Sequence, residues 1–357
     1  MNPLLDSSQD PVVSRARSDV ATGVAADGGP SPDADRPGGI LTRLGPYVQI
    51  ARPDHWFKNV FMALGVVLAY FYHPHLLGVY TFAALAWALA ATCLVASSNY
   101  VINEILDAPT DRNHPVKCRR PIPAGRVNLR VAYAEWLLLA AMGLGMAAAL
   151  NWPFFFVALA FWVMGVVYNV PPVRTKELPY VDVLSESINN PLRLLLGWFV
   201  VTQVAVPPVS LTVSYWMIGA FFMATKRFSE YREIGQAETA GTYRNSFRYY
   251  DEGKLIVSMF FYATAAALLL GVFIIRYHLE LILSIPLIAG FFSYYMHVAL
   301  KKESAAQAPE RLYQERGLMA YLVLCVVVFM ALMFVNIPVL YDLFNVAPPE
   351  VSPLWRF

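Results

Sequence analysis

Long apolar runs separated by short polar breaks dominate the chain. Residues 59–103 and 194–225 contain no Asp, Glu, Lys or Arg, whereas one bilayer crossing needs only about 20 apolar residues. Runs and breaks together predict nine spans: 59–72 (entered from about Trp56), 77–103, 129–150, 154–170, 183–205, 211–226, 255–275, 281–300 and 318–340. His73-Pro74-His75, Asn151-Trp152-Pro153, Pro171-Pro172 and Pro207-Pro208 mark the breaks, because proline ends helices. Eight helices with one re-entrant segment is the competing count. The expected fold is an all-α polytopic membrane protein, about nine transmembrane helices bundled around a cytoplasm-facing polar cavity. Residues 1–44, rich in Asp, Ser, Ala, Gly and Pro, read as a disordered N-terminal tail without a signal-peptide core. The transmembrane domain occupies 45–345, and 346–357 form a short C-terminal tail.

Composition agrees with this pattern. Of 357 residues, 57% are hydrophobic and 15% charged, against about 25% charged in an ordinary soluble domain. Mean hydropathy is +0.47, which excludes a cytosolic globular enzyme. The net charge of +2 averages an uneven distribution. With the N-terminus in the cytoplasm, only Arg276 and Arg356 of the 27 Lys and Arg fall on the other side. The positive-inside rule then places the C-terminus externally, in a multi-pass protein of a bacterial-type inner (plasma) membrane. Cys93, Cys118 and Cys325 lie in no metal or disulfide pattern. No nucleic-acid partner is indicated, and a homo-oligomer is compatible with the sequence. His73, His75, His278 and His297 read as structural, while His114 alone lies in a charged region.

Candidate chemistry concentrates in two acidic clusters at cytoplasmic helix ends. The first is Asn103-Glu104-x-x-Asp107-x-x-x-Asp111. Positions 103, 107 and 111 share a helix face if the helix continues, but Pro109 disfavours helix at Ala108, so Asp111 is also compatible with a turn. Arg112, Lys117, Arg119 and Arg120 follow. The second is Asp182-x-x-x-Glu186, with Asn189 or Asn190 extending the same face and Arg193 beyond. Arg174 and Lys176 precede it, and Pro179 suits its opening turn. Two carboxylate sets at membrane level repel one another unless a cation lies between them. Carboxylate and amide oxygens suit Mg²⁺ shared with substrate phosphates. The reaction implied is departure of pyrophosphate from carbon, with metal ions neutralising the developing charge. A lone Asp at a helix end is usually a cap; two sets on one side, each flanked by cations, weigh against that reading. A transporter is the non-enzyme alternative, although its carboxylates would lie nearer the bilayer midplane.

These clusters resemble those of the UbiA superfamily of intramembrane prenyltransferases. The family's N-D-x-x-D-x-x-x-D motif appears as Asn103, Glu104, Asp107 and Asp111, and its D-x-x-x-D motif as Asp182 and Glu186. Arg120-Pro121-x-x-x-Gly125 matches its R-P-x-x-x-G signature, and Arg52-Pro53-Asp54-His55-Trp56-Phe57-Lys58-Asn59 matches its opening. The match covers residues 50–340. Glu104 and Glu186 replace the usual Asp, each adding a methylene that shifts a ligand position. The strings NEILDAPTDR, YVDVLSESINNPLR and KRFSEYREIG resemble most one branch, the decaprenyl-phosphate phosphoribosyltransferases. That resemblance implies transfer of 5-phosphoribosyl from phosphoribosyl diphosphate (PRPP) to a polyprenyl (decaprenyl) phosphate. The products would be polyprenylphosphoryl 5-phosphoribose and pyrophosphate, in a route to cell-wall arabinan precursors. The alternative within the family is transfer of a prenyl group from a prenyl diphosphate to an aromatic acceptor.

The resemblance also implies roles. Asn103, Asp107, Asp111, Asp182 and Glu186 are expected to hold Mg²⁺, with Glu104 as a further ligand or as support for one. Lys58, with Arg52 or Arg193, is expected to position the acceptor phosphate. Lys117, Arg119, Arg120, Arg174, Lys176, Lys226 and Arg227 are candidates for the donor phosphates, and Tyr168 and Asn169 for the ribose. Segment 226–254 adds Arg232, Arg244, Arg248 and Lys254, interleaved with Tyr231, Tyr243, Tyr249 and Tyr250. The glycine-rich PRPP loop of soluble phosphoribosyltransferases is absent, so donor binding would rest on Mg²⁺ and the carboxylates.

Overall fold

The computed structural model describes residues 40–76, 78–112, 117–234, 245–301, 304–307 and 309–347. The chain divides into two units, Met1–Arg43 and Leu44–Phe357, and the second is the subject here. His114, Tyr243, Arg244, Arg356, most of the expected N-terminal tail and residues 348–357 lie outside the described residues.

The fold is that of an all-α polytopic membrane protein. Among the described residues, six helices are long and apolar enough to cross a bilayer: Thr81–Asp111, Leu129–Leu150, Trp152–Asn169, Glu252–Tyr277, Leu279–Ala299 and Arg316–Met333. The expected nine are therefore not present as nine uninterrupted apolar helices. The first expected span is a 3-10 segment, Pro53–Phe61, followed by a short helix α2 (Met62–Tyr72). A helix not anticipated, α1 (Ile40–Ala51), precedes it and begins inside the stretch read as tail. Next come α3 (Val79–Asp111), α4 (Leu129–Leu150) and α5 (Trp152–Asn169).

The expected span 183–205 is split into α6 (Val181–Ser187) and α7 (Asn189–Val201). Pro191 offers no N–H to the preceding turn, and the Asn189 side chain donates to the Glu186 carbonyl at 3.0 Å instead. Next, α8 (Val209–Ile234) runs beyond its apolar part into the charged stretch Lys226–Arg232. After it come α9 (Glu252–Tyr277), α10 (Ile285–Ala299) and α11 (Arg316–Met333). The ninth expected span ends early, and a separate short helix, α12 (Pro338–Phe344), follows.

Local chemistry explains the helix starts. Asn128 Oδ1 accepts from the Arg130 N–H at 2.9 Å, Asn151 Oδ1 from the Phe154 N–H at 2.8 Å, and Asp251 Oδ1 from the Lys254 N–H at 2.7 Å. Each satisfies a donor that the first helical turn leaves unpaired. Pro109, by contrast, does not end α3. The Arg112 N–H still reaches the Ala108 carbonyl at 3.1 Å, and ion pairs at Asp111 hold the last turn, so tertiary contacts override the local preference.

Side chains such as Phe260, Phe82 and Val257 lie about 70% exposed on the outer face, a lipid-facing belt that a water-exposed surface would not carry. Inside, Trp198, Phe154 and Phe161 pack between α2, α3, α5 and α7, and Phe228, Leu255 and Met259 between α8 and α9. Helices in lipid associate through close packing rather than apolar burial. A Cβ on Gly65 would sit 1.9 Å from the Leu194 carbonyl oxygen, and one on Gly197 1.9 Å from that of Met62. Thus α2 and α7 meet backbone to backbone.

Candidate active site

Three helix ends supply the site: the last turns of α3, the short α6, and the charged extension of α8. Because α3 stays helical to Asp111, Asn103, Asp107 and Asp111 share a face. Asn103 Nδ2 donates to Asn169 Oδ1 at 2.5 Å. The Lys176 ammonium donates to the same oxygen at 3.0 Å and also forms a close ion pair with Asp107 Oδ1. Arg174 Nη2 reaches Asp107 at 3.2 Å from a residue in the left-handed region (φ 31°). Asp111 is buried and takes Arg120 at 2.7 Å, with Lys117 at 3.9 Å. Burial pushes the Lys117 ammonium below its ordinary pKa, an effect Asp111 opposes, and Lys117 also lies within electrostatic reach of Asp107 and Glu230.

The second acidic set is closed around one cation. Arg227 is 2% exposed and donates from Nε to Asp182 at 3.2 Å, from Nη2 to Glu186 at 2.7 Å and from Nη1 to Glu230 at 3.1 Å. Asp182 is wholly buried and also accepts from the hydroxyls of Tyr250 (2.6 Å) and Ser246 (3.4 Å). Burial first, and Asp182 next, push the Tyr250 hydroxyl pKa upward. Tyr168, on α5, donates to Glu186 at 2.9 Å. Since Tyr168 adjoins Asn169, the two acidic sets belong to one network.

A third group is cationic and short of acids. Arg193, 7% exposed, donates from Nε to Asn59 Oδ1 at 3.0 Å and from Nη1 to the Asn189 carbonyl at 3.2 Å, and lies 5.1 Å from the Phe161 ring centre. Among the described residues neither Arg193 nor Lys58 forms an ion pair with a carboxylate. Lys58 lies within electrostatic reach of Arg193, Arg52 and Lys226, with Glu186 as the opposing acid. Arg52, in the left-handed region at φ 52°, donates to His55 Nε2 at 2.5 Å and stands 5.7 Å from the Tyr100 ring centre. Lys226 faces Glu230 at 3.9 Å.

Several candidate residues have partners within the chain itself. Glu104, expected as a further ligand or as support for one, is buried and accepts from the Ile122 N–H at 3.2 Å. It anchors the loop in which Gly125 adopts φ 73°, a conformation that explains the glycine of the R-P-x-x-x-G signature. Arg227, expected on donor phosphates, is committed to three carboxylates. Arg119 is exposed, and its carbonyl accepts from Arg126. Asn190 packs over Gly219, where a Cβ would meet its Nδ2 at 2.4 Å. Glu230, Ser246 and Asn59 were given no role from sequence, and Tyr250 appeared only as one tyrosine of a basic segment. The spacing Arg227-x-x-Glu230 is a signal that would have found Glu230, and Asn59 closes the opening family signature.

The donor set consists of carboxylate and amide oxygens, the chemistry of a hard cation. Among the described residues no three Asp, Glu, His or Cys side chains are gathered as a ready metal-ligand group, because basic side chains of the chain itself lie between the acids. The Lys176 ammonium, against Asp107 Oδ1 and Asn169 Oδ1, marks a place where oxygens already coordinate a cation.

Comparison with known proteins bears on this geometry. Residues 59–319 match the family described as the UbiA prenyltransferase family. The chain is 28% identical over 253 residues to the decaprenyl-phosphate phosphoribosyltransferase of Mycolicibacterium smegmatis, covering 67% of this chain and 72% of that protein. It is 29% identical over 147 residues to the uncharacterized protein y4nM of Sinorhizobium fredii, covering 41% of this chain and only 27% of that longer protein. A UbiA homolog from Archaeoglobus fulgidus, solved bound to DMAPP and Mg²⁺, superposes with a TM-score of 0.61 at 20% identity, covering 82% of this chain and 100% of that one.

Proposed function

This chain belongs to the UbiA prenyltransferase family, and on that premise we propose that it is an Mg²⁺-dependent membrane transferase moving a prenyl group from a prenyl diphosphate to an acceptor. The observation that carries this reading is the meeting of two acidic sets, from α3 and α6, with basic side chains at one end of a lipid-facing helix bundle. In the reaction the C1–O bond of the prenyl diphosphate breaks, its electron pair leaves with pyrophosphate, and the acceptor bonds to C1 while giving up a proton, which the departing pyrophosphate takes. Asn103, Asp107, Asp111, Asp182 and Glu186 would hold Mg²⁺, and the oxygen cradle around the Lys176 ammonium supports that fit. When bound, the ion neutralises charge on the leaving diphosphate. The chain's own groups do the rest. Arg174, Lys176, Lys117 and Arg120 are freed from their carboxylates to hold phosphate oxygens. Arg227 stays in place and fixes Asp182 and Glu186, while Tyr168 orients Glu186. The lipid chain leaves sideways between apolar helices. By the positive-inside rule this charged end faces the cytoplasm.

A second reading within the family is 5-phosphoribosyl transfer from PRPP to a polyprenyl phosphate. There the C1–O bond of the ribose breaks, pyrophosphate again leaves, and a lipid phosphate oxygen bonds to C1. It is supported by the name of the Mycolicibacterium smegmatis relative and by Lys58 and Arg193, cations that form no ion pair with a carboxylate among the described residues. They offer a second anion seat that a neutral acceptor does not need, and the lipid phosphate requires no general base.

One assay separates the readings. Purified full-length protein with Mg²⁺ is given either a prenyl diphosphate with an aromatic acid, or labelled PRPP with decaprenyl phosphate. Prenylated acceptor with released pyrophosphate is expected. Ribosylated lipid in the second arm alone establishes the second reading. Substrate flux across proteoliposomes, with no covalent product in either arm, overturns both.

A further inference from the structure

Lys176 is 8% exposed, and its ammonium sits between Asp107 on α3 and Asn169 at the end of α5. It donates to Asn169 Oδ1 at 3.0 Å and forms the close ion pair with Asp107 Oδ1. Asn103 Nδ2 donates to the same Asn169 oxygen at 2.5 Å. The carboxylate that would ligate a metal ion from the middle of the α3 motif is therefore the one that holds this ammonium. An ammonium and a divalent ion both need close contact with the same lone pairs, so at Asp107 Oδ1 each excludes the other.

The surrounding charges set the cost of an exchange. Asp107 carries Arg174 as well as Lys176, and Asp111 carries Arg120 at 2.7 Å with Lys117 at 3.9 Å. A bare divalent cation entering here meets several positive groups at short range, where repulsion is strong. It must also expel Lys176 with no anion to receive it. A diphosphate reverses both effects, because its oxygens coordinate the ion and accept the displaced ammonium. The backbone need not move. Thr175 Oγ1 donates to Ser185 Oγ on α6 at 2.9 Å, and the Leu178 N–H donates to the Thr175 carbonyl at 3.0 Å. The segment is thus pinned beside Lys176, while its four-carbon stem stays rotatable.

We propose that Lys176 is a resident counter-ion of the metal seat, so that a divalent ion enters this seat together with a diphosphate and not ahead of it. The inference rests on the metal reading proposed above and adds an order of binding to it. Lys176 gives up Asp107 and takes a phosphate oxygen when ion and diphosphate arrive together. Metal and diphosphate then raise each other's affinity by one and the same factor, as linkage requires. A metal ion that comes without its anion is turned away, which keeps Asp107 open to the substrate complex.

The test uses the full chain in detergent and reads binding, not turnover. Electron paramagnetic resonance follows Mn²⁺ binding, alone and with saturating methylenediphosphonate, and protein-free titrations correct for Mn²⁺ held by the diphosphonate. The wild-type protein is expected to bind Mn²⁺ at least tenfold tighter when the diphosphonate is present. Lys176→Gln keeps a donor for Asn169 without the charge. It is expected to bind Mn²⁺ alone at least tenfold tighter than wild type, with a smaller gain from the diphosphonate. Adding Asp107→Asn is expected to remove that tightening. If Lys176→Gln fails to fold, Arg174→Gln takes the other cation from Asp107, and tightening in the same direction is expected. Unchanged Mn²⁺ affinity in the folded variant, or equal wild-type affinity with and without the diphosphonate, overturns this proposal and leaves the metal site standing. Tightening that survives Asp107→Asn overturns the exchange at Asp107. No Mn²⁺ binding by wild type under either condition overturns the metal reading itself, and this proposal with it.

Discussion

At the scale of single residues, the site is organised by which cations face carboxylates and which do not. Arg227 faces three acids while buried, so removing it takes away the guanidinium that Asp182, Glu186 and Glu230 share. Arg227→Met is expected to destabilise the protein by about 3–5 kcal/mol, read as a lower melting temperature in detergent. Lys58 forms no ion pair with a carboxylate among the described residues. Lys58→Ala is expected to leave the melting temperature in place and to raise KM for the anionic substrate. Asp107→Asn and Asp182→Asn are each expected to lower turnover by about 100- to 1000-fold, measured as pyrophosphate release. Near-normal release by both would remove the metal site as drawn. The identities of these acids were legible in the sequence because their four-residue spacing needs only helix geometry. Their partners were not. Nothing local distinguishes Arg227, which closes on acids, from Lys58, which does not; that depends on how α8 and the segment before α2 pack. Glu104 illustrates the same limit, since its place in the motif is local but its bond to Ile122 depends on a loop 18 residues downstream.

At the scale of elements, apolar runs located the helices well and their interruptions poorly. The spans read at 129–150 and 255–275 correspond to α4 and α9. The span read as 183–205 is two helices, because Pro191 and the Asn189 side chain act within a run whose hydropathy is continuous. Pro109 misleads in the opposite direction, as ion pairs at Asp111 carry α3 past it. The contact between α2 and α7 left only two glycines as its trace in the sequence. Gly197→Ala would place a methyl group on the Met62 carbonyl oxygen, and overpacking of this kind costs about 1–3 kcal/mol. A lower melting temperature is expected for this variant, and an unchanged one would mean that the helices can part without loss.

For the whole molecule, the separation of charge between the two ends is the basis of the proposed orientation, with the charged end toward the cytoplasm. A single reactive thiol placed at exposed Tyr249 (Tyr249→Cys) is expected to react with an impermeant maleimide in inside-out vesicles and not in intact cells. The reverse labelling would invert the topology. Chelation of Mg²⁺ is expected to abolish pyrophosphate release, and its return to restore it. The melting temperature is expected to change little on chelation, because the chain's own cations already neutralise the acids. Polytopic class and the charged end followed from composition and spacing alone.

The backbone approach of Gly65 to Leu194 and of Gly197 to Met62 also has a mechanical consequence. Side chains between helices can change rotamer and let the helices slide, but two touching backbones have nothing to rearrange. Arg193 stands one turn before Gly197, Lys58 about two turns before Gly65, and Asn59 ties the two segments together. The backbone positions that carry those two cations are thereby held at a fixed spacing, like the jaws of a locked caliper. In the phosphoribosyl reading such a seat would select an anion by how far apart its oxygens are, and would refuse a ligand of equal charge but different span.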